Sequence, residues 1–239
     1  MSRFRHWAVA RLLFSTHLPF LVLLWVPVAV LLTAAAGVVA VVGTVNHSVW
    51  DIAVPILRWF ALGYGAYLTT RMLPLCIAHG RTRREFMIQS SCFVAALTGV
   101  LGALLALGYL LEKGVYGLAG WRQQLADERL FDAPDQFWLI ALCYWVLLLL
   151  WTTVGAFLGA GFTGADEGWG VIALLPAVVL AILASVATGI NGLPFVSRLL
   201  GESSLGLPIG MLSCLAGYAV GLAITWGLVR EIPVRTRTS

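Results

Sequence analysis

The chain has 239 residues, 60% of them hydrophobic and 11% charged, with a formal net charge of +4 at pH 7 and a mean hydropathy of +0.93. Soluble globular chains are about a quarter charged, and a water-soluble core of this size does not hide so much apolar surface. The composition excludes a soluble domain and a basic nucleic-acid-binding module, and the alternation of a membrane β-barrel is missing. What remains is an all-α polytopic membrane protein, whose backbone groups must bond internally in lipid.

Residues 2–17, SRFRHWAVARLLFSTH, are basic with interleaved Phe4, Trp7, Leu12 and Phe14. They predict an N-terminal helix lying in the interface. Arg11 falls on the stripe of Phe4, Trp7, Phe14 and Leu18, a position arginine tolerates by snorkelling; an irregular topogenic leader is the alternative. Six apolar runs follow, at 18–42, 52–78, 88–111, 137–160, 169–187 and 208–229, each near the roughly 20 residues that cross a bilayer. No cleavable signal peptide is evident in the first of them. A glycosylation sequon, Asn46-His47-Ser48, lies in the short loop that follows it.

The second run is unusual because it carries Pro55, Arg58, Arg71 and Pro74. Phe60, Tyr64, Tyr67 and Arg71 fall on one helical face. A polar and aromatic stripe on a membrane helix faces protein or water more often than lipid, so these residues are candidates for a translocation path. Packing, with Arg71 snorkelling to the nearby surface, is the alternative. Arg58 lies too far from either end for easy snorkelling. It shares a face with Asp51, two turns away.

Residues 112–136 form the longest connection, acidic in excess, with a short helix expected over 121–130 and a turn around Pro134. Its acidity reads as solvation. The loop 161–168 carries Asp166 and Glu167 without a neighbouring base or nucleophile. Residues 188–207 are apolar for a loop and punctuated by Gly192, Pro194, Gly201 and Gly206. They suggest a re-entrant segment, with Asn191, Pro194 and Phe195 as an external gate. Cys76, Cys92, Cys143 and Cys214 lie in or beside apolar runs without a CxxC, as small buried hydrophobes do.

Charge sets the expected orientation. Arg3, Arg5, Arg11, Arg81, Arg83, Arg84, Arg230, Arg235 and Arg237 are nine of the fifteen Lys+Arg and fall on one side of a six-span topology. That side is predicted to be cytoplasmic, with both termini. The chain carries no HExxH, GxSxG or Walker loop, and no carboxylate in the core of runs 1, 3, 4, 5 or 6. No catalytic site is therefore expected, and the chain looks like a translocation unit without its own energy source.

The loop between the second and third runs, His79-Gly80-Arg81-Thr82-Arg83-Arg84-Glu85-Phe86, carries local signals that orientation does not require. Gly80 suits a left-handed helix cap. Thr82 with Glu85 makes a capping box that starts a new helix. The result is a stiff tip presenting arginines able to make bidentate contacts with partner carboxylates.

Six spans, a basic N-terminal helix and this tip together resemble the permease subunits of type-2 ABC exporters. The resemblance implies that residues 79–86 form a short coupling helix docking on a separate ABC ATPase chain, in two copies, which holds the ATP and Mg. It also implies a homodimer or heterodimer of permeases in a bacterial plasma membrane. The substrate would be hydrophobic or amphipathic: an antibiotic, a peptide or a lipid. The sequence departs from that family in carrying no large external domain and no fused ATPase domain, so the ATPase is expected on another chain. A membrane anchor recruiting a cytosolic partner, or a secondary carrier, are the other readings left open.

Overall fold

The computed structural model describes residues 7–42, 48–121, 123–125, 130–163, 168–188, 190 and 207–231. Among them the chain forms six helical runs and no β-strand. It is an all-α membrane protein: five of the runs are long and apolar enough to cross a bilayer. The exception is the second, which carries Asp51, Arg58 and Arg71.

The first run, α1, spans residues 8–42 as Ala8–Leu12, a π turn Leu13–His17, and Leu18–Val42. The expected boundary at residue 17 is thus a widened turn within a continuous helix, not the end of a separate interfacial helix. The expected amphipathic face is corrected too. Val9, Ala10 and Leu13 are buried while Trp7 is exposed, because this segment packs on the third helix. There the Ala10 N–H donates to Gln89 Oε1 at 3.0 Å, and Phe14 meets Phe93 edge-on at 5.0 Å.

The second run, α2, covers Trp50–Tyr67, a π turn Leu68–Met72, and Leu73–Ala78. Both π turns end two residues before a proline, Pro19 and Pro74. Proline lacks the N–H that its i−4 carbonyl would accept and its ring crowds that carbonyl; a widened turn accommodates both.

The third run, α3, is Arg83–Ala119. Its 37 residues rise about 55 Å, well beyond a bilayer core of about 30 Å. It is longer at both ends than expected, and Gly120, with φ of 71°, closes it in a left-handed cap. The helix expected over 121–130 is not formed at 121 and 123–125. The remaining runs are α4 Phe137–Thr163, α5 Gly168–Thr188 and α6 Leu207–Glu231. Asp166, Glu167, Asn191, Pro194 and Phe195 lie outside the described residues.

The bundle is organised around α4, which packs on α2, α3, α5 and α6. Residues 146–155 are buried without interruption, as in a helix that is apolar all round. Gly155 and Gly159 form a GxxxG stripe on it, a device that lets membrane helices approach closely. A Cβ on Gly155 would lie 1.8 Å from the Leu62 carbonyl oxygen, and one on Gly65 of α2 1.9 Å from that of Thr152. Only hydrogen fits at these positions, so α2 is held against the central helix backbone to backbone. Of the cysteines, Cys76, Cys143 and Cys214 are buried and Cys92 is exposed.

Candidate functional site

The basic tip is built as its residue types require. Gly80 adopts φ of 75°, and the Arg81 N–H returns to the Cys76 carbonyl at 3.0 Å. Thr82 Oγ1 accepts from the Glu85 N–H, and the Thr82 N–H donates to Glu85 Oε2, both at 3.1 Å. The capping box is therefore complete. No separate coupling helix stands between the second and third runs. Residues 79–82 are a tight link, and the helix starting at Arg83 continues without a break to residue 119. The capping box has nothing to stop the helix once started, which is why the tip and the third run are one rod.

The tip residues divide into two sets. Phe86 is 1% exposed and anchors the tip in the core. Arg83 Nη1 donates to the carbonyls of Val229, at 2.7 Å, and Arg230. These belong to the last turn of α6, whose carbonyls lack intrahelical partners and carry the negative end of the helix dipole. Arg83 and Phe86 thus hold the tip to the rest of the chain. Glu85 and Thr82 satisfy each other. His79, Gly80 and Arg84 are exposed and Arg81 is partly so.

The stripe expected on α2 is realised in part. Phe60 stacks on Tyr64, and Tyr64 lies beside Tyr67, with centroids 6.1 and 6.0 Å apart. His17 of α1 completes the group: its Nδ1 is 2.9 Å from the Tyr64 hydroxyl, and its ring lies 6.0 Å from both tyrosines. A cavity of about 410 Å³, open on one side, is lined by these four residues with Thr16 and Phe20. This is within the range of small-molecule sites, and its walls are mostly aromatic.

Arg58 and Arg71 do not join that cavity. Arg58 is two residues from Phe60, about 200° around the helix, so it points to the opposite side. It is 4% exposed, donates Nη1 to the Ile190 carbonyl at 3.4 Å and lies 6.0 Å from the Trp151 ring. Its position ties α2 to the end of α5 across α4. Arg71 is exposed within the π turn, where the wider turn breaks the 3.6-residue register that placed it under Tyr67. His17 was not legible as a partner of the stripe, because nothing in the local pattern says that α1 crosses α2 there.

A second group lies at the far end of the bundle from the tip. Glu112, 7% exposed, accepts from the Ser48 hydroxyl, the Val49 N–H at 2.7 Å and Gln123 Nε2 at 2.7 Å. The Tyr109 hydroxyl donates to Asp51 Oδ1 at 2.6 Å and lies 2.9 Å from that of Tyr144. Phe131 of the acidic connection, 2% exposed, packs on both tyrosine rings. The reading of this segment's acidity as solvation is therefore corrected for Glu112. Its carboxylate gathers the start of α2 and the connection after α3, as a buried acid must be partnered.

The aromatic cavity is suited to holding an apolar or planar surface, and the tip to meeting an acidic one. No family model, curated protein or solved structure matches the chain.

Proposed function

We propose that this chain is the permease subunit of an ATP-driven exporter, with six spans, α2 among them, and both termini in the cytoplasm of a bacterium. The observation that carries the reading is the tip: a left-handed glycine, a closed capping box, a phenylalanine anchor and an arginine clamp hold Arg81 and Arg84 rigidly at a helix end. A loop serving only orientation needs the positive charge and none of these fixtures. A lever pressed by another protein needs all of them. The partner is an ABC ATPase chain in two copies, carrying the ATP and Mg, and the permease works as a dimer. The aromatic cavity of His17, Phe60, Tyr64 and Tyr67 supports a hydrophobic or amphipathic substrate, whether an antibiotic, a peptide or a lipid. It offers π faces and one hydroxyl–imidazole pair, and no fixed countercharge.

The test is purification from the native membrane under ATP and vanadate, with ATPase activity as readout. An ATP-hydrolysing chain is expected to co-purify with the wild type and to be lost with Arg81→Ala/Arg84→Ala. Absence of any ATPase, or its retention by that variant, overturns the proposal. Sidedness is read from Arg84→Cys and Asp132→Cys, expected to label from opposite faces of sealed vesicles. The buried Glu112 favours a second reading, an ion-coupled carrier. Its three protein donors sit at the end of the bundle and account for it as an anchor instead. Uptake driven by an ion gradient without ATP would reverse that judgement.

A further inference from the structure

Between α2, α3, α4 and α6 lies a cavity of about 30 Å³ with an unusual wall for a membrane interior. Thr69, Ser90, Ser91, Thr152, Thr153 and Thr225 all line it. Each hydroxyl donates its hydrogen to a carbonyl of its own helix: Thr69 to Ala66 and Ser90 and Ser91 to Met87, Thr152 to Leu148, Thr153 to Leu149 and Thr225 to Gly221. Their own hydrogens are spent on the backbone, so what these six oxygens can still offer is acceptance; the Tyr218 hydroxyl, paired with Ser91, completes the polar wall.

We propose that this cavity is a hydration site, filled by one or two ordered waters inside the bundle. The volume exceeds the roughly 10–15 Å³ that one water requires. An occupant that donates suits the wall, since each of the six hydroxyl oxygens has room to accept a further hydrogen bond. No lining residue bears a negative charge, so a sodium or ammonium ion would be buried without a counterion, which water avoids. The position supplies a further reason. Thr69 belongs to the π turn before Pro74, and ordered water is a common means of satisfying backbone groups freed by such a turn. Phe86, the anchor of the tip, forms part of the same wall. The waters therefore occupy the joint between tip and core, where they exchange hydrogen bonds as helices shift. This site does not depend on the exporter reading.

The test is X-ray hydroxyl-radical footprinting of the full chain in detergent, in ¹⁸O-labelled water, because bound water generates radicals in place. Phe86 is the reporter. Phe93 and Phe157, both fully buried and outside the cavity, are the controls. Phe86 is expected to be modified several-fold faster than either control. In Ser91→Ala/Thr152→Val/Thr225→Val the rate is expected to fall to that of the controls, and in Thr152→Ser to stay high, which separates loss of water from loss of fold. Equal labelling of the three phenylalanines in the wild type overturns the proposal, as does full Phe86 labelling in the triple variant. A rise in Phe86 labelling when sodium and potassium are replaced by N-methylglucamine also overturns it, since a cation would then hold the site.

Discussion

The close seating of α2 on α4 predicts opposite effects from one chemical change made at two glycines. In Gly155→Ala the added Cβ meets the Leu62 carbonyl oxygen at 1.8 Å and the Leu62 carbonyl carbon at 2.7 Å. A carbon–oxygen contact settles at about 3.3–3.6 Å, so the helices must part by roughly 1.5 Å. The obstacle is backbone, which no rotamer change removes. Overpacking costs about 1–3 kcal/mol when side chains can yield, and the fixed backbone puts Gly155→Ala at the upper end, ~3 kcal/mol. Gly63, on α2 itself, has nothing within 4 Å of its added Cβ. Alanine there gains up to about 1 kcal/mol of helix propensity. For a chain of this length each kcal/mol moves the melting temperature by about 2–4 °C, giving a loss of ~6–12 °C at Gly155 and a gain of ~2–4 °C at Gly63. Thermal unfolding in detergent, followed by circular dichroism and by loss of the monodisperse peak, measures both. Wild-type stability in Gly155→Ala, or comparable losses in both variants, would refute the backbone-to-backbone seating.

Arg83→Ala removes the cap on α6 and is expected to cost about 1–2 kcal/mol from charge-assisted hydrogen bonds and the helix dipole. Amide exchange in the last turn of α6 should quicken in it and remain unchanged in Arg84→Ala. Glu112→Ala strands the Val49 N–H and the Gln123 amide in a buried setting, an expected loss of about 3 kcal/mol by thermal unfolding; an unchanged melting temperature would remove Glu112 from its anchoring role. The hydrogen bond from Lys113 holds the Asp135 carboxyl below its usual value. A depressed folded-state pKa gives stability that is full above the unfolded aspartate value near 3.9 and is lost as the pH falls through the lower folded one. Amide protection at the start of α4, taken relative to the intrinsic exchange rate at each pH, is expected to fall on acidification below about pH 4 and to stay level over that range in Asp135→Asn.

Much of the tip was written locally. Gly80, Thr82 and Glu85 act within a few residues of one another, so their cap and capping box follow from residue type and spacing alone. The same holds for the cluster of Phe60, Tyr64 and Tyr67, which share a face wherever a regular helix forms. The register failed at Arg71 because a π turn is set by a proline three residues later, and that consequence is not periodic. The GxxxG at Gly155 is present in the chain, but among apolar residues the pattern does not name the helix that fills it.

Composition by itself determined the class of molecule and its helical character, because bilayers leave few ways to satisfy a backbone. The order of residues determined where charge gathers, and the Thr82–Glu85 capping box where α3 begins. Only the tertiary structure decided which arginines are spent inside the chain. Arg83 reaches a helix end 146 positions away, Arg58 reaches Ile190, and Arg84 alone of these is exposed. Tertiary contacts likewise brought His17 to Tyr64, Glu112 to Ser48, and seven hydroxyls from four helices around one cavity. The physical reason is common to all of them. Helix periodicity fixes the direction of a side chain relative to its own axis, whereas its partner depends on which helices close packing brings alongside.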